Sequence, residues 1–181
     1  MLRVGVIGAG IMGSNHGRVL AGLAGVRFAG IVDPLAAHRT RAAEMIGCRT
    51  FATFEELMAA GVDAVTIAAP THLHCELALA CIERGVHILV EKPIASTVEE
   101  GCKIVTAAQR AGLTLMVGHV ERFNPAVAAI KQAIKGEDIL SIAITRVGPF
   151  PPRMSNVGVV IDLAVHDIDL IRWFTESEII D

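Results

Sequence analysis

Short apolar, β-branched runs alternate along the chain with stretches whose apolar positions recur at helical spacing. The first run ends at Ile7 and a helical pattern covers residues 11–23. A strand is predicted at 26–32, a helix at 34–46 with Pro34 in its first turn, and a short strand at 49–52. Thr53 with Glu56 three residues on reads as the capped start of a short helix ending at Met58. Residues 62–69 are nearly all apolar, as expected of a central strand buried on both faces. A helix at 73–84 closes at Gly85, and a strand at 87–90 runs into Glu91-Lys92-Pro93. The next helix, 96–111, takes Ser96 or Thr97 as its cap and stops at Gly112, and a strand at 113–117 ends at Gly118-His119. Strands alternating with helices predict right-handed βαβ units and a parallel sheet, an α/β fold.

Beyond His119 the pattern changes. A polar crossover at 121–125 precedes a helix at 125–135 and a turn at 136–138. Residues 139–147 alternate like a strand with one solvated face, 148–152 read as a proline-rich loop, and 157–161 lead into a helix over 162–174. We therefore divide the chain into 1–119 and 120–181, with no internal repeat and no low-complexity tract.

At 52% hydrophobic and 19% charged, the chain can build a packed core and is not a disordered segment. A net charge of −3 without a basic run argues against nucleic acid or an anionic membrane as the main partner. No run approaches the roughly 18 apolar residues that span a bilayer. A strand starts at once, with no room for a signal peptide, so the expected location is cytoplasmic. Cys48, Cys75, Cys81 and Cys102 form no C-x-x-C pair and read as buried, reduced thiols acting as small apolar side chains.

The first strand turns at Gly8-Ala9-Gly10-Ile11-Met12-Gly13. Gly8 permits the sharp turn, Gly10 lets a pyrophosphate approach the backbone, and Gly13 lets the helix pack close to the strand. The amides that open the helix then face the phosphates. Asp33 follows the second strand about 20 residues later, where a ribose-binding carboxylate is expected. The competing reading is a glycine-rich turn with an unrelated aspartate. Asp33 should repel a 2′-phosphate and so favour NAD; the cationic neighbours His38, Arg39 and Arg41 keep NADP as the alternative.

Ala69-Pro70-Thr71-His72-Leu73-His74 forms a second turn on the same sheet edge, the edge where ligands of such sheets bind. His72 and His74 lack ligand-spaced cysteines or acids, so no metal site is expected; one of them is read as capping the helix or touching the cofactor. Glu91-Lys92-Pro93 puts a charge pair at a third strand end, where it is exposed or used. Asp162 and His166, four apart, share one helix face, which suits an acid that steadies an imidazole; a surface ion pair is the bland alternative.

These pieces, with His16 and Asp33-Pro34, occur in the order of the Gfo/Idh/MocA family (glucose–fructose oxidoreductase, inositol dehydrogenase, rhizopine catabolism), which the chain resembles over nearly its whole length. The resemblance implies a Rossmann domain followed by an α/β domain with an open-faced sheet. It implies NAD(P)-dependent oxidation or reduction of a sugar, nucleotide sugar or cyclitol. It carries the catalytic lysine onto Lys92, the substrate-orienting acid onto Asp162 and the acid/base histidine onto His166. Cofactor contacts are expected from Gly8, Gly10, Ile11, Met12, Gly13, Asp33, Ala69, Pro70, His74, Glu91 and Lys92. Substrate contacts are expected from Lys92, Arg122, Arg153, Asp162 and His166. A cis bond before Pro93 is a further family trait. The stretches 118–125 and 147–153 resemble the branch of nucleotide-sugar 3-dehydrogenases acting on UDP-N-acetylglucosamine.

Full members are much longer, and here the open sheet is cut short. The second domain is expected to be incomplete, as a fragment or as a natural short form, and to self-associate into a homo-oligomer through 139–181. Two other readings stand beside the enzyme. One is a dinucleotide-binding module without turnover. The other is an unrelated doubly wound reductase, for which His166 would be dispensable.

Overall fold

Six strands form one parallel sheet: β1 (Leu2–Ile7), β2 (Val26–Val32), β3 (Thr50–Phe51), β4 (Ala64–Ile67), β5 (His87–Val90) and β6 (Leu115–Val117), in the order β3-β2-β1-β4-β5-β6. The structure, a computed structural model, describes residues 1–147 and 160–180. Its contacts divide the chain into two units, Met1–Gly118 and His119–Asp181. The sheet belongs to the first, with helices α1 (Ile11–Ala21), α2 (Ala36–Ile46), α3 (Phe54–Ala59), α4 (His74–Glu83) and α5 (Val98–Ala111).

Each strand sends alternate side chains to opposite faces. Val6 and Ile31 pack with Ala42, Leu20 and Ile46 of α1 and α2, whereas Ile7 and Val32 join Leu57, Ile67, Cys81 and Ile104 on the side of α3, α4 and α5. Burial pushes the Cys81 thiol up to about 12, so it acts as an apolar filler. All four cysteines are free, but only Cys81 is buried as expected; Cys48 and Cys75 are half-buried and Cys102, on α5, is exposed.

One irregularity keeps β2 in phase with β1. Val4 pairs with Phe28 but Gly5 pairs with Gly30, which leaves Ala29 as an extra residue. Phe28 and Ile31 can therefore face the same way although they are an odd number apart. Gly30 carries the bulge at φ +134°, and a Cβ there would strike the Arg49 carbonyl and sit 2.9 Å from the Phe51 ring.

Several predicted ends move by a residue or more. The helix expected from Pro34 starts at Ala36, because the Leu35 N–H donates to the Asp33 carboxylate (2.9 Å) and holds a turn there. The strand at 62–69 pairs only over Ala64–Ile67, and the helix after it opens as a 3-10 turn, Thr71–Leu73. Thr53 and Thr97 cap as expected, accepting from the N–H of Glu56 and Glu100.

The second unit contains a 3-10 turn (Val120–Phe123), α6 (Pro125–Ala133), a π turn (Val160–Ala164) and α7 (Val165–Thr175). Asn124 caps α6 through the Ala126 N–H. Lys131 on α6 donates to the Trp173 carbonyl (2.6 Å) and to Glu176 (2.7 Å), closing the carbonyl end of α7. The strand expected at 139–147 is not formed: the segment is irregular and its Leu140 and Val147 are exposed. A strand needs a neighbour for its N–H and C=O groups, and among the described residues this unit has no other strand. Residues 148–159, including Arg153, lie outside the described residues.

Candidate active site

In a parallel sheet all carboxyl ends lie on one edge, so the strand order sets which loops are neighbours. Here the loops run from Asp33 (β2) to the glycine turn (β1), Ala69-Pro70 (β4), Glu91-Lys92-Pro93 (β5) and Gly118 (β6). The order reverses between β1 and β4, the switch point where such sheets bind ligands. Each strand end is tied to its neighbour: Gly8 N–H to Val32 O, Ala68 N–H to Ile7 O, Glu91 N–H to Ile67 O and Gly118 N–H to Val90 O, all at 2.8–2.9 Å.

The glycine turn has the shape that its spacing predicts. Gly8 stands at φ +99°, and a Cβ there would meet the Ala68 carbonyl at 2.7 Å. A Cβ on Gly13 would collide with the Gly8 carbonyl oxygen, so helix and strand close together only with glycine. A Cβ on Gly10 would meet nothing within 4 Å. Its lack of a side chain matters to something that approaches from outside, as a pyrophosphate would. No side chain caps α1, and Ile11 and Met12 are exposed beside the turn. The residues present fit a dinucleotide.

Asp33 is buried, 7% exposed, and its carboxylate faces the turn. Burial pushes its pKa up, but the N–H groups of Ala9 (2.8 Å) and Leu35 (2.9 Å), with His38 at 3.2 Å, hold it below the usual value. The acid expected to meet a ribose thus also anchors the glycine turn, a role the spacing alone did not reveal. Arg39 donates to the carbonyls of Asp33 (2.7 Å) and Pro34 (3.0 Å), and Arg41 to that of Ala9 (3.2 Å).

His74 does not cap α4: it is 1% exposed, and its ring nitrogens lie 2.9 Å from the carbonyl oxygens of Pro93 and Ala69. Carbonyls only accept and a neutral imidazole has one N–H, so the ring donates to one of these two carbonyls and its other nitrogen stands beside the second. His72 is exposed. The Lys92–Pro93 bond is cis, as the resemblance implies. Glu91, half-buried, takes His16 Nε2 at 2.7 Å and the Lys92 N–H at 3.3 Å. Burial pushes the Glu91 carboxyl up, and the His16 ring together with the Lys92 N–H and charge outweighs this and holds it low. Sequence reading missed the His16–Glu91 pair; only the spacing of His16 after the glycine turn could have drawn attention to it.

In the second unit, Arg122 forms a fork with Asp169, Nε to Oδ2 at 2.8 Å and Nη2 to Oδ1 at 2.5 Å, which raises its pKa. Two of its donor positions are therefore committed within the protein. His119 Nδ1 stands 3.6 Å from the same carboxylate, and Arg146 pairs with Asp167. His166 is half-buried on α7. Asp162 falls in the π turn, so the α-helical i, i+4 argument does not set which face it shares with His166; its side chain lies outside the described residues. Among the described residues no three His, Cys, Asp or Glu side chains gather as metal ligands, and no helix is long and apolar enough to cross a membrane.

Residues 2–119 match the family described as "Oxidoreductase family, NAD-binding Rossmann fold" (Gfo/Idh/MocA). The chain is 36% identical over 180 residues to a UDP-N-acetylglucosamine 3-dehydrogenase of Acidithiobacillus ferrooxidans, covering 99% of this chain and 56% of the relative. It is 34% identical to an inositol 2-dehydrogenase of Saccharopolyspora erythraea, covering 99% and 55%. The solved structure of the Acidithiobacillus ferrooxidans enzyme superposes with a TM-score of 0.87 over 99% of this chain and 58% of that one. GenD2 from gentamicin A biosynthesis, solved in complex with NAD, is 26% identical with a TM-score of 0.82, covering 96% and 53%. The chain spans about half the length of these relatives.

Proposed function

Because the chain belongs to the Gfo/Idh/MocA family of oxidoreductases with an NAD-binding Rossmann fold, we propose that it transfers a hydride between NAD and a hydroxyl-bearing carbon of a sugar, nucleotide sugar or cyclitol. The observation that carries this reading is the open, side-chain-free approach at Gly10, with the Glu91-Lys92-Pro93 turn on the same sheet edge. Family membership sets aside an unrelated doubly wound reductase.

When bound, a nicotinamide supplies the hydride acceptor. The chain supplies the rest. His166 takes the hydroxyl proton at a ring nitrogen as the carbon–oxygen bond gains double-bond character. The Lys92 ammonium steadies the developing negative oxygen, and Asp162 accepts a hydrogen bond that orients the sugar. The amides at the start of α1, with Gly8, Gly10 and Gly13, hold the pyrophosphate; Ile11, Met12, Ala69 and Pro70 pack against the cofactor; Glu91 contributes through its turn. Asp33 selects NAD over NADP: its carboxylate is ionised, and Arg39 and Arg41 are turned onto carbonyls rather than left for a 2′-phosphate. Arg153 and Arg122 are assigned to the substrate's anionic part. The likeness to the Acidithiobacillus ferrooxidans relative favours a nucleotide sugar. Free cysteines agree with a cytoplasmic setting. Exposed Leu140, Val147 and Ile180 support association with a second copy through 139–181.

Calorimetry with NAD and NADP, followed by nicotinamide absorbance with UDP-N-acetylglucosamine and myo-inositol, tests the reading. We expect NAD to bind more tightly and to be reduced with one of these. Lys92→Ala should lower turnover at least ~100-fold with the NAD Kd held within about 3-fold. Binding without turnover on any sugar identifies a dinucleotide-binding module, and absence of NAD binding overturns both readings.

A further inference from the structure

We propose that His16 and His74 are positioning residues that bracket Lys92, fastening its turn to the two loops that frame the dinucleotide site. The proposal rests on the cofactor reading above for the identity of the site, and on independent geometry for the bracket. Lys92 has one histidine contact on each side. Before it, the Glu91 carboxylate is gripped by His16 Nε2 at 2.7 Å, and that same carboxylate receives the Lys92 N–H at 3.3 Å. After it, the Pro93 carbonyl is gripped by His74 Nδ1 at 2.9 Å. Neither histidine comes from the turn itself. His16 lies on α1, whose first residues are the glycine turn, and His74 opens α4, with its other nitrogen 2.9 Å from the Ala69 carbonyl oxygen at the end of β4.

The surroundings make both contacts selective. Glu91 is half-buried, and Gly118 sits so close that a Cβ there would meet all three atoms of its carboxyl at 3.3 Å. The carboxylate therefore has little room to turn away from His16. His74 is 1% exposed, so breaking its bonds strands buried polar groups, a penalty that keeps the bridge closed. The turn after β5 is thus tied by side chains to α1 and α4, beyond the main-chain bonds of the sheet. Anything that fixes α1 from outside, such as a pyrophosphate at its first turn, also fixes Glu91 and the lysine beside it.

Two measurements test this. The first needs no ligand: amide hydrogen exchange in His16→Ala and in His74→Asn, the latter small and polar enough for the protein to fold. The Lys92 amide should exchange at least ~10-fold faster in His16→Ala while amides of β1 and β4 keep their protection. Unchanged exchange at Lys92, or equal acceleration throughout the sheet, overturns the bracket. The second uses ADP-ribose, which carries the pyrophosphate but no nicotinamide, and reads the NMR signal of isotopically methylated Lys92. Saturation should move that signal in the unaltered chain. His16→Ala should abolish the movement with the ADP-ribose Kd within about 3-fold. Equal movement in both proteins overturns the coupling. Failure of ADP-ribose to bind the unaltered chain overturns the cofactor reading instead, and the exchange experiment still judges the bracket.

Discussion

At the scale of single residues, two glycines a few positions apart should answer differently to the same substitution. Gly10→Ala adds a methyl group into open space, so thermal stability should be unchanged while NAD affinity falls at least ~10-fold, because the methyl group stands where the pyrophosphate approaches. Gly13→Ala drives a carbon into the Gly8 carbonyl, so melting temperature and binding should fall together. Thermal melts beside calorimetry separate the two. A second residue-scale expectation concerns acid. The Arg3 side chain, helped by the Arg3 backbone N–H, holds the half-exposed Asp63 carboxyl at about 2. Because the folded value lies below the unfolded one, about 3.9, the contribution is present above that pH and is lost as pH falls toward 2. NMR titration should place the Asp63 midpoint near 2, and Arg3→Ala should return it toward the ordinary value.

At the scale of elements, α5 shows how local chemistry sets a boundary. Thr97 accepts the Glu100 N–H at 3.2 Å, and the Glu100 carboxylate accepts the Ser96 N–H at 3.1 Å. Thr97→Ala should cost about 1 kcal/mol in denaturant unfolding. Such caps were legible in the sequence, as were all six parallel strands, because each depends on residues within a turn of one another. What stayed hidden depends on partners distant in sequence. The bulge at Ala29 exists because β2 must match β1; the failure of 139–147 to pair reflects the lack of a neighbouring strand among the described residues. The candidate site divides in the same way. Gly8, Gly10, Gly13 and Asp33 announce themselves by spacing and Lys92 by its place at a strand end, whereas the contacts of His74 and the grip of His16 on Glu91 arise where helices meet a turn distant in the chain.

At the scale of the molecule, the first unit holds the dinucleotide-binding edge and the second holds the residues assigned to proton transfer and substrate. Exposed Leu140, Val147 and Ile180 give the second unit an uncovered apolar surface. Light scattering at micromolar concentration should therefore report a mass above that of one chain, rising with concentration; a single-chain mass throughout would count against association. The bulge in β2 carries one more implication. Ala29 and Gly30 behave as a pair: shortening the chain by Ala29 lets the ribbon run straight, and a straight ribbon no longer demands the unusual torsion at position 30. Alanine at 30 should thus be ruinous in the full-length strand yet tolerable after the deletion, so that an apparent defect in one background becomes its own repair in another.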